Sequence, residues 1–218
     1  MTKIVWDKAG ERRYETGVDH GVLYTPDNTG AYNSGVPWNG LVSVTESPSG
    51  AESSKQYADN IVYVTLISAE EFGGTIEAFM SPLEFGQHDG TAAPKKGVYL
   101  GQQTRKPFGL TYRTKIGTAL DPDEGYKLHL VWGAQAAPSE KAYSTVNDSP
   151  EATTLSWEFT TTPVAVPGFK PTALMVIDST AVAPADLAAL ELLLYGDAAT
   201  DPELPLPEDV IAMFTDVP

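Results

Sequence analysis

The chain has 218 residues, 42% of them hydrophobic, with 29 acidic and 14 basic residues and a formal charge of −15. This length suits one large domain with a substantial core, and the charge disfavours binding to nucleic-acid phosphates. Without cysteine there is no disulfide framework and no thiolate metal site. The charged N-terminus and the lack of any run of roughly 20 apolar residues predict neither a signal peptide nor a membrane span, so we expect synthesis in the cytosol.

The first part of the chain predicts an arm followed by short strands. Residues 1–17 mix charge with isolated apolar side chains and have no periodicity, so we interpret them as an arm. Trp6 on such an arm is expected to pack against its own domain or a neighbouring subunit. Residues 18–24 and 38–44 are predicted strands, separated by the turn-rich loop 25–36.

The middle of the chain combines a polar run with its most hydrophobic segment. Residues 45–59 predict a long loop with little apolar surface, and long loops are often functional. Residues 61–67 (IVYVTLI) are almost wholly β-branched, aromatic or aliphatic, and predict a strand buried on both faces. Gly73 and Gly74 are expected to break the chain before a strand at 75–80 that pairs with 61–67.

Alternating patterns predict further strands downstream. The clearest has Leu155, Trp157 and Phe159 on one side and Glu158 and Thr160 on the other. We also predict a helical turn at 82–85 and a long loop at 86–101. Residues 134–151 predict a second extended loop or a β-ribbon. Further strands are predicted at 108–113, 126–132 and 172–178. In 126–132 an apolar side (Tyr126, Leu128, Leu130, Trp132) lies opposite a more polar one (Lys127, His129, Val131).

The strongest helix signal lies near the C-terminus. Pro184 suits a first helical position, Asp186 complements the helix dipole and Gly196 suits the C′ position, which predicts a helix over about 184–195. We expect its stripe of Leu187, Leu190 and Leu194 to lie against a sheet. Residues 1–196 are therefore assigned to one β domain. Residues 197–218 are assigned to an acidic, proline-rich tail that docks like a tethered peptide.

Candidate chemistry is weak. Glu70 with Glu71, and Glu84 with His88 and Asp89, could be imagined as a glycosidase pair or a metal site. Adjacent strand residues point to opposite faces, however, and acidic loops are expected in so acidic a chain.

The remaining histidines, His20 and His129, are predicted to be structural. No phosphate loop, nucleophile elbow or metal-spaced cluster is found in the sequence. We assign no catalytic, cofactor-binding or metal-binding residue and predict that the protein is not an enzyme.

A carbohydrate-binding or adhesive β-sandwich is the alternative, because aromatic side chains can form a sugar-stacking face. Trp132 and Trp157 fall on the apolar sides of their strands and are better explained as core. Trp6 and Trp38 are left open by the sequence.

Several motifs resemble the major tail proteins, or tail tube proteins, of long-tailed bacteriophages. The order and spacing of the motifs carry this resemblance, which extends to about Tyr195. The motifs are NGL at 39–41, ESPSGAE at 46–52, YADNI at 57–61, SAEEFG at 68–73, GQQ with Arg105 at 101–105, YKLHLV at 126–131, APSEK at 137–141 and NDSPE at 147–151.

The resemblance implies a mainly β fold, a β-sandwich or β-barrel of tail tube type with long loops, an N-terminal arm and one C-terminal α-helix. It further implies a structural virion protein of the phage tail, assembled in the host cytoplasm from hexameric rings that stack into a hollow tube. The implied partners are other copies of the chain, a tape measure protein in the lumen, and tail terminator and baseplate or tail tip proteins. DNA would pass through without specific binding, since an acidic wall repels phosphate. The subunit-interface candidates are Trp6, Ser47, Glu52, Lys55, Tyr57 and Tyr143.

Overall fold

A computed structural model describes residue 4, residues 6–145, residue 148 and residues 152–215. Short 3-10 turns occur at Ala9–Glu11 and Leu83–Gln87. In this part of the chain the strands are β1 (Arg13–Tyr24), β2 (Gly35–Pro37), β3 (Leu41–Glu46), β4 (Ser49–Gly50), β5 (Ser53–Ala58), β6 (Ile61–Ile67), β7 (Glu70–Glu71), β8 (Gly73–Ala78), β9 (Ala92–Lys95), β10 (Val98–Leu100), β11 (Phe108–Thr118), β12 (Gly125–Ala136), β13 (Leu155–Thr161) and β14 (Leu174–Asp178), followed by helices α1 (Pro184–Tyr195) and α2 (Pro207–Met213).

The body of the protein is one antiparallel sheet that curls back on itself. Its strand order is β2-β1-β11-β12-β13-β8-β3, and β14 pairs with β12 outside this path. The two ends of the path, β2 and β3, are consecutive in the chain, and the Trp38 amide between them donates a 2.8 Å hydrogen bond to the Gly21 carbonyl in β1. The mainly β, sandwich-like fold expected from the sequence is confirmed.

The inner face of the curled sheet encloses the first core. Trp38, Phe85, Phe108 and Trp157 are buried there with their rings packed edge-on or tilted. Phe85 comes from the 3-10 turn Leu83–Gln87, which occupies the region where the sequence predicted a helical turn at 82–85. These four aromatic side chains therefore form the centre of the first core.

A second core lies between the opposite face of the sheet and the C-terminal helices. Leu187, Leu190 and Leu194 of α1 are buried against this face, as the sequence predicted. Gly196 caps the helix with φ +68°, a conformation that favours glycine. The Tyr24 hydroxyl also donates a 2.7 Å hydrogen bond to the Leu194 carbonyl, so β1 and α1 are joined by polar contact as well as packing.

Strand β12 lies between both cores. Leu128, Leu130 and Trp132 face the second core, whereas Val131 belongs to the first. The prediction that residues 126–132 have a polar face is therefore wrong, because His129 on that side is also buried. Strand β13 behaves as predicted, with its apolar side buried and its polar side exposed.

The segment after α1 packs on the body instead of hanging from it. Leu204 and Val210 are buried in the second core. The Leu204 amide donates to the Tyr32 carbonyl at 3.0 Å, and the Trp132 indole donates to the Pro205 carbonyl at 2.9 Å. The docking expected of this segment thus takes place on its own domain for the described residues up to 215.

Four local predictions are corrected. The arm predicted over 1–17 is shorter, because β1 begins at Arg13 and pairs with β11 from that residue onward. Gly73 and Gly74 lie inside β8 and do not break the chain, and β8 pairs with β3 and β13. The loop predicted at 86–101 contains the β9–β10 hairpin.

None of the described helices has the length and hydrophobicity that a membrane crossing requires.

Candidate functional site: an exposed apolar ribbon

Residues 47–72 form a two-stranded excursion between β3 and β8, which we call the apolar ribbon. At its root the Ser47 amide donates to the Gly73 carbonyl at 2.8 Å, and β4 then pairs with β7. Beyond a kink at Gly50 and Ala51, both with positive φ, strands β5 and β6 pair up to the tip. About twelve residues on each side of the tip correspond to a contour length of about 40 Å.

The tip of the apolar ribbon is a two-residue turn. Ala58 pairs with Ile61, and the intervening Asp59 and Asn60 have φ values of +52° and +63°. Two consecutive positive φ values are typical of a type I′ turn, whose twist matches that of the flanking strands. The predicted loop at 45–59 is therefore wrong, because most of it is the polar strand of this hairpin.

Strand β6 is exposed along its whole length. Its six large apolar side chains have relative exposures between 41% and 72%. The prediction that residues 61–67 are buried on both faces is therefore wrong for the single chain. These side chains are Ile61, Val62, Tyr63, Val64, Leu66 and Ile67.

Both faces of the apolar ribbon carry these side chains. Cross-strand partners share a face, so Leu66 lies on the side of Ser54, and Val62 lies on the other side with Tyr57. Strand β5 contributes mostly polar residues to each face. One strand of the hairpin is thus as apolar as a buried strand. No other part of the described structure covers either face of the hairpin.

A polar cluster holds the root of the apolar ribbon to the sheet. Glu46, the last residue of β3, accepts a 2.6 Å hydrogen bond from the Tyr112 hydroxyl, and its Oε1 lies 2.9 Å from Nδ1 of His129. The Tyr112 and His129 rings stack 4.6 Å apart. The His129 ring beside it and the Tyr112 hydrogen bond lower the pKa of the Glu46 carboxyl, although burial opposes them. The cluster favours a carboxylate at the point where the ribbon leaves the body.

A shorter hairpin of strands β9 and β10 leaves the body elsewhere, and we call residues 90–106 the basic ribbon. Val98, Tyr99 and Leu100 are about half exposed on it, and Lys95 and Lys96 lie at its turn. The apolar ribbon enters β8 at Gly73 and the basic ribbon follows β8 after Ala78. The 3-10 turn Leu83–Gln87 lies between the end of β8 and the basic ribbon, so only the apolar ribbon leads directly into this strand.

Four of the interface residues predicted from the sequence belong to the apolar ribbon. Ser47 lies at the root and Glu52 near the kink, where its backbone exchanges hydrogen bonds with Ser68. Lys55 and Tyr57 share one face of β5. All four are exposed.

The other two candidates lie on different segments. Trp6, in the N-terminal segment, is 75% exposed, and Tyr143, after β12, is 78% exposed. Of the two alternatives for Trp6, packing on its own domain is therefore wrong, and packing on a neighbouring subunit stays a prediction. Of the residues 134–151, expected to form a loop or ribbon, 146, 147 and 149–151 lie outside the described part of the chain.

The carboxylates considered for catalysis do not converge. Glu70 and Glu71 are exposed on β7. His88 is fully buried, with Nε2 3.0 Å from the Thr25 hydroxyl and Nδ1 3.0 Å from the Lys106 carbonyl, and burial lowers its pKa. Among the described residues no group of three or more His, Asp or Glu side chains could hold a metal ion.

The tryptophans do not form an exposed aromatic face. Trp38, Trp132 and Trp157 are buried, which resolves the position of Trp38 in favour of the core. Trp6 is the exposed one.

The apolar surface of β6 is the feature that sequence reasoning missed. Two signals could have located it: Asp59-Asn60 is a two-residue turn signal between two β-prone segments, and the first of these is polar. A polar strand such as β5 does not suit a position that is buried on both faces. Its hairpin partner β6 is therefore not expected to lie buried between two layers of the same domain. No family model matches the chain, and no curated protein matches it.

Proposed function

We propose that this chain is a self-assembling structural protein, the tail tube protein of a long-tailed bacteriophage. Copies would form hexameric rings that stack into the tube of the tail, and the tube would conduct DNA into the host cell. This proposal joins the sequence resemblance to a property of the single chain, namely that its most hydrophobic strand is uncovered.

The observation that carries the proposal is the exposure of β6. Six large apolar side chains are exposed on the two faces of one strand, and exposed apolar surface concentrated in this way is typical of protein interfaces. A two-stranded hairpin is also marginally stable by itself in water. Both facts favour a partner that covers the ribbon.

The energy available from covering β6 is substantial. Full burial of one large apolar side chain contributes about 1.5–3 kcal/mol, and these side chains are about half exposed, so each adds roughly 1 kcal/mol. Six of them on every subunit, repeated around a ring, would stabilise an assembly against the repulsion between chains of charge −15. Other copies of the same chain are the partner that we propose.

The remaining partners follow from the tail tube proposal. A tape measure protein would occupy the lumen, and a tail terminator and baseplate or tail tip proteins would contact the tube ends. The protein would be assembled in the host cytoplasm and reside in the virion tail. DNA would pass along the acidic wall without specific binding.

Sedimentation velocity and negative-stain electron microscopy of the purified chain test the proposal. We expect rings or tubes above a threshold concentration. Tyr63→Ser should raise that threshold about fivefold, because it removes roughly 1 kcal/mol of aromatic contact from each subunit. The matched control is Leu120→Ser, since Leu120 is as exposed as Tyr63 and lies outside the ribbon.

Two results would contradict the proposal. One is a monomer at every concentration and ionic strength tested. The other is an assembly that responds equally to Tyr63→Ser and Leu120→Ser, which would place the contacts elsewhere.

A further inference from the structure

We propose that the basic ribbon of one copy docks on the acidic helical layer, residues 184–215, of a second copy. The inference rests on the proposed self-assembly and names a second contact for it, separate from the apolar ribbon.

The basic ribbon concentrates positive charge in a chain that is otherwise strongly acidic. Residues 90–106 carry four of the fourteen basic residues and no acidic one. No ion pair among the described residues involves Lys95 or Lys96. Beside these lysines the half-exposed Val98, Tyr99 and Leu100 add apolar surface. The ribbon is therefore both cationic and apolar.

The helical layer has the opposite charge and similar apolar content. Residues 184–215 contain seven acidic residues and no basic one. Glu208 and Asp209, in the first turn of α2, are exposed and form no ion pair with a described residue. Leu206 and Ile211 flank them and are 36% and 44% exposed. Carboxylates and aliphatic side chains thus alternate on this surface.

The two surfaces lie on different layers of the molecule. The basic ribbon follows β8 and adjoins the 3-10 turn whose Phe85 fills the first core, whereas α1 and α2 cover the second core. No hydrogen bond among the described residues joins residues 90–102 to residues 184–215. The complementary charges are therefore available to another molecule.

A second copy is the occupant that charge complementarity favours. Every copy carries both surfaces, so each could give its ribbon to one neighbour and receive a ribbon from another. Contacts between two different patches are heterologous and generate rings or filaments. Complementary patches also fix the register of association and disfavour like-charged alternatives.

Charge reversal tests this pairing more cleanly than salt does. Salt weakens the local attraction, but it also screens the repulsion between chains of charge −15, so its net effect has no fixed sign. The test variant is Lys95→Glu with Lys96→Glu, both exposed, so folding should be unchanged. Its threshold concentration for assembly should rise at least about tenfold.

Two four-residue variants distinguish pairing from net charge. The first adds Glu208→Lys and Asp209→Lys to the ribbon variant, which restores both the net charge and the complementarity. The second adds Asp121→Lys and Asp123→Lys, in the turn between β11 and β12, and restores the net charge without the complementarity. It also removes the Lys115–Asp123 ion pair and the hydrogen bond from the Asp123 amide to the Asp121 carboxylate, so its unfolding midpoint is measured beside that of the first variant. We expect only the first to recover the threshold of the unmodified chain.

The outcomes separate this inference from the proposed function. An unmodified chain that never assembles contradicts the proposed function. An unmodified chain that assembles, with a ribbon variant of unchanged threshold, contradicts the docking alone. Equal recovery by both four-residue variants would also overturn it. A shift of duplex DNA at micromolar protein that is lost with Lys95→Glu and Lys96→Glu would instead make the ribbon a polyanion site.

Discussion

The Glu46 carboxylate and the His129 imidazole lie 2.9 Å apart at the root of the apolar ribbon. Glu46 ends β3 and His129 lies in the middle of β12, so the contact joins the edge strand that carries the ribbon to the strand between the two cores. Its main effect is to lower the pKa of the Glu46 carboxyl.

This contact makes stability depend on pH. A lowered folded-state pKa means that Glu46 stabilises the fold fully above its ordinary pKa of 4.5, and the contribution is lost as pH falls through the lower folded value. Glu46→Gln should therefore flatten the acid limb of the unfolding free energy measured by urea denaturation from pH 7 to pH 3. Tyr112→Phe should flatten it less, because it removes a smaller cause of the shift. Curves parallel to that of the unmodified chain would contradict the assignment.

Gly74 is predicted to be irreplaceable because its neighbours leave no room for a side chain. A Cβ there would lie 2.3 Å from the Thr45 carbonyl oxygen and 2.9 Å from the Phe159 ring. We expect Gly74→Ala to destabilise the fold by about 1–3 kcal/mol in chemical denaturation. Gly101→Ala is the control, since no atom lies within 4 Å of its Cβ and the change should stay within about 0.5 kcal/mol. Equal effects would show that packing around Gly74 can relax.

Leu204 tests whether the segment after α1 is part of the domain. It is 3% exposed beside Tyr32 and Gly109, so Leu204→Ala should cost about 2–5 kcal/mol of unfolding free energy. Leu206→Ala, two residues away and 36% exposed, should cost much less. Thermal and chemical denaturation measure both, and similar small losses would mean that the segment packs only loosely.

Shortening the apolar ribbon should separate folding from assembly. Replacing residues 51–69 by an Asn-Gly turn leaves the β4–β7 pairing in place and removes only exposed residues. The monomer should unfold at nearly the same denaturant concentration, because closure entropy changes slowly with loop length. Assembly should be lost in electron microscopy. Normal tubes from the shortened chain would assign the contacts to the Trp6 or Tyr143 segments or to the basic ribbon.

Sequence patterns predicted local structure well where one chain supplies all the neighbours. The alternation around Trp157 and Phe159 identified the buried side of β13, and the Pro184 and Gly196 signals bounded α1. His129 is predicted to be structural, and it is buried against the Tyr112 ring on the side of β12 that faces the first core, a neighbour that periodicity in β12 alone does not reveal.

Sequence patterns did not predict burial correctly where they do not specify which part of the molecule, or which other molecule, covers a residue. The composition of β6 is typical of a strand that other residues cover, yet no other part of the described structure covers it. Composition alone therefore could not predict that this strand is exposed. The Gly73-Gly74 pair predicts a chain break because glycine is common in turns. In β8 they instead allow close approach of the β3 and β13 backbones, a use of glycine that depends on strands distant in sequence.

Strand β8 also has a mechanical consequence, because the apolar ribbon leads directly into its first residue, Gly73. A pull on the apolar ribbon by a neighbouring subunit would load β8 along its length. Its hydrogen bonds to β3 and β13 lie across that direction and share the force, so they must shear together instead of opening one at a time. The six residues of β8 would then act as a tie within each subunit, and a pulled assembly should part between subunits before a subunit unravels.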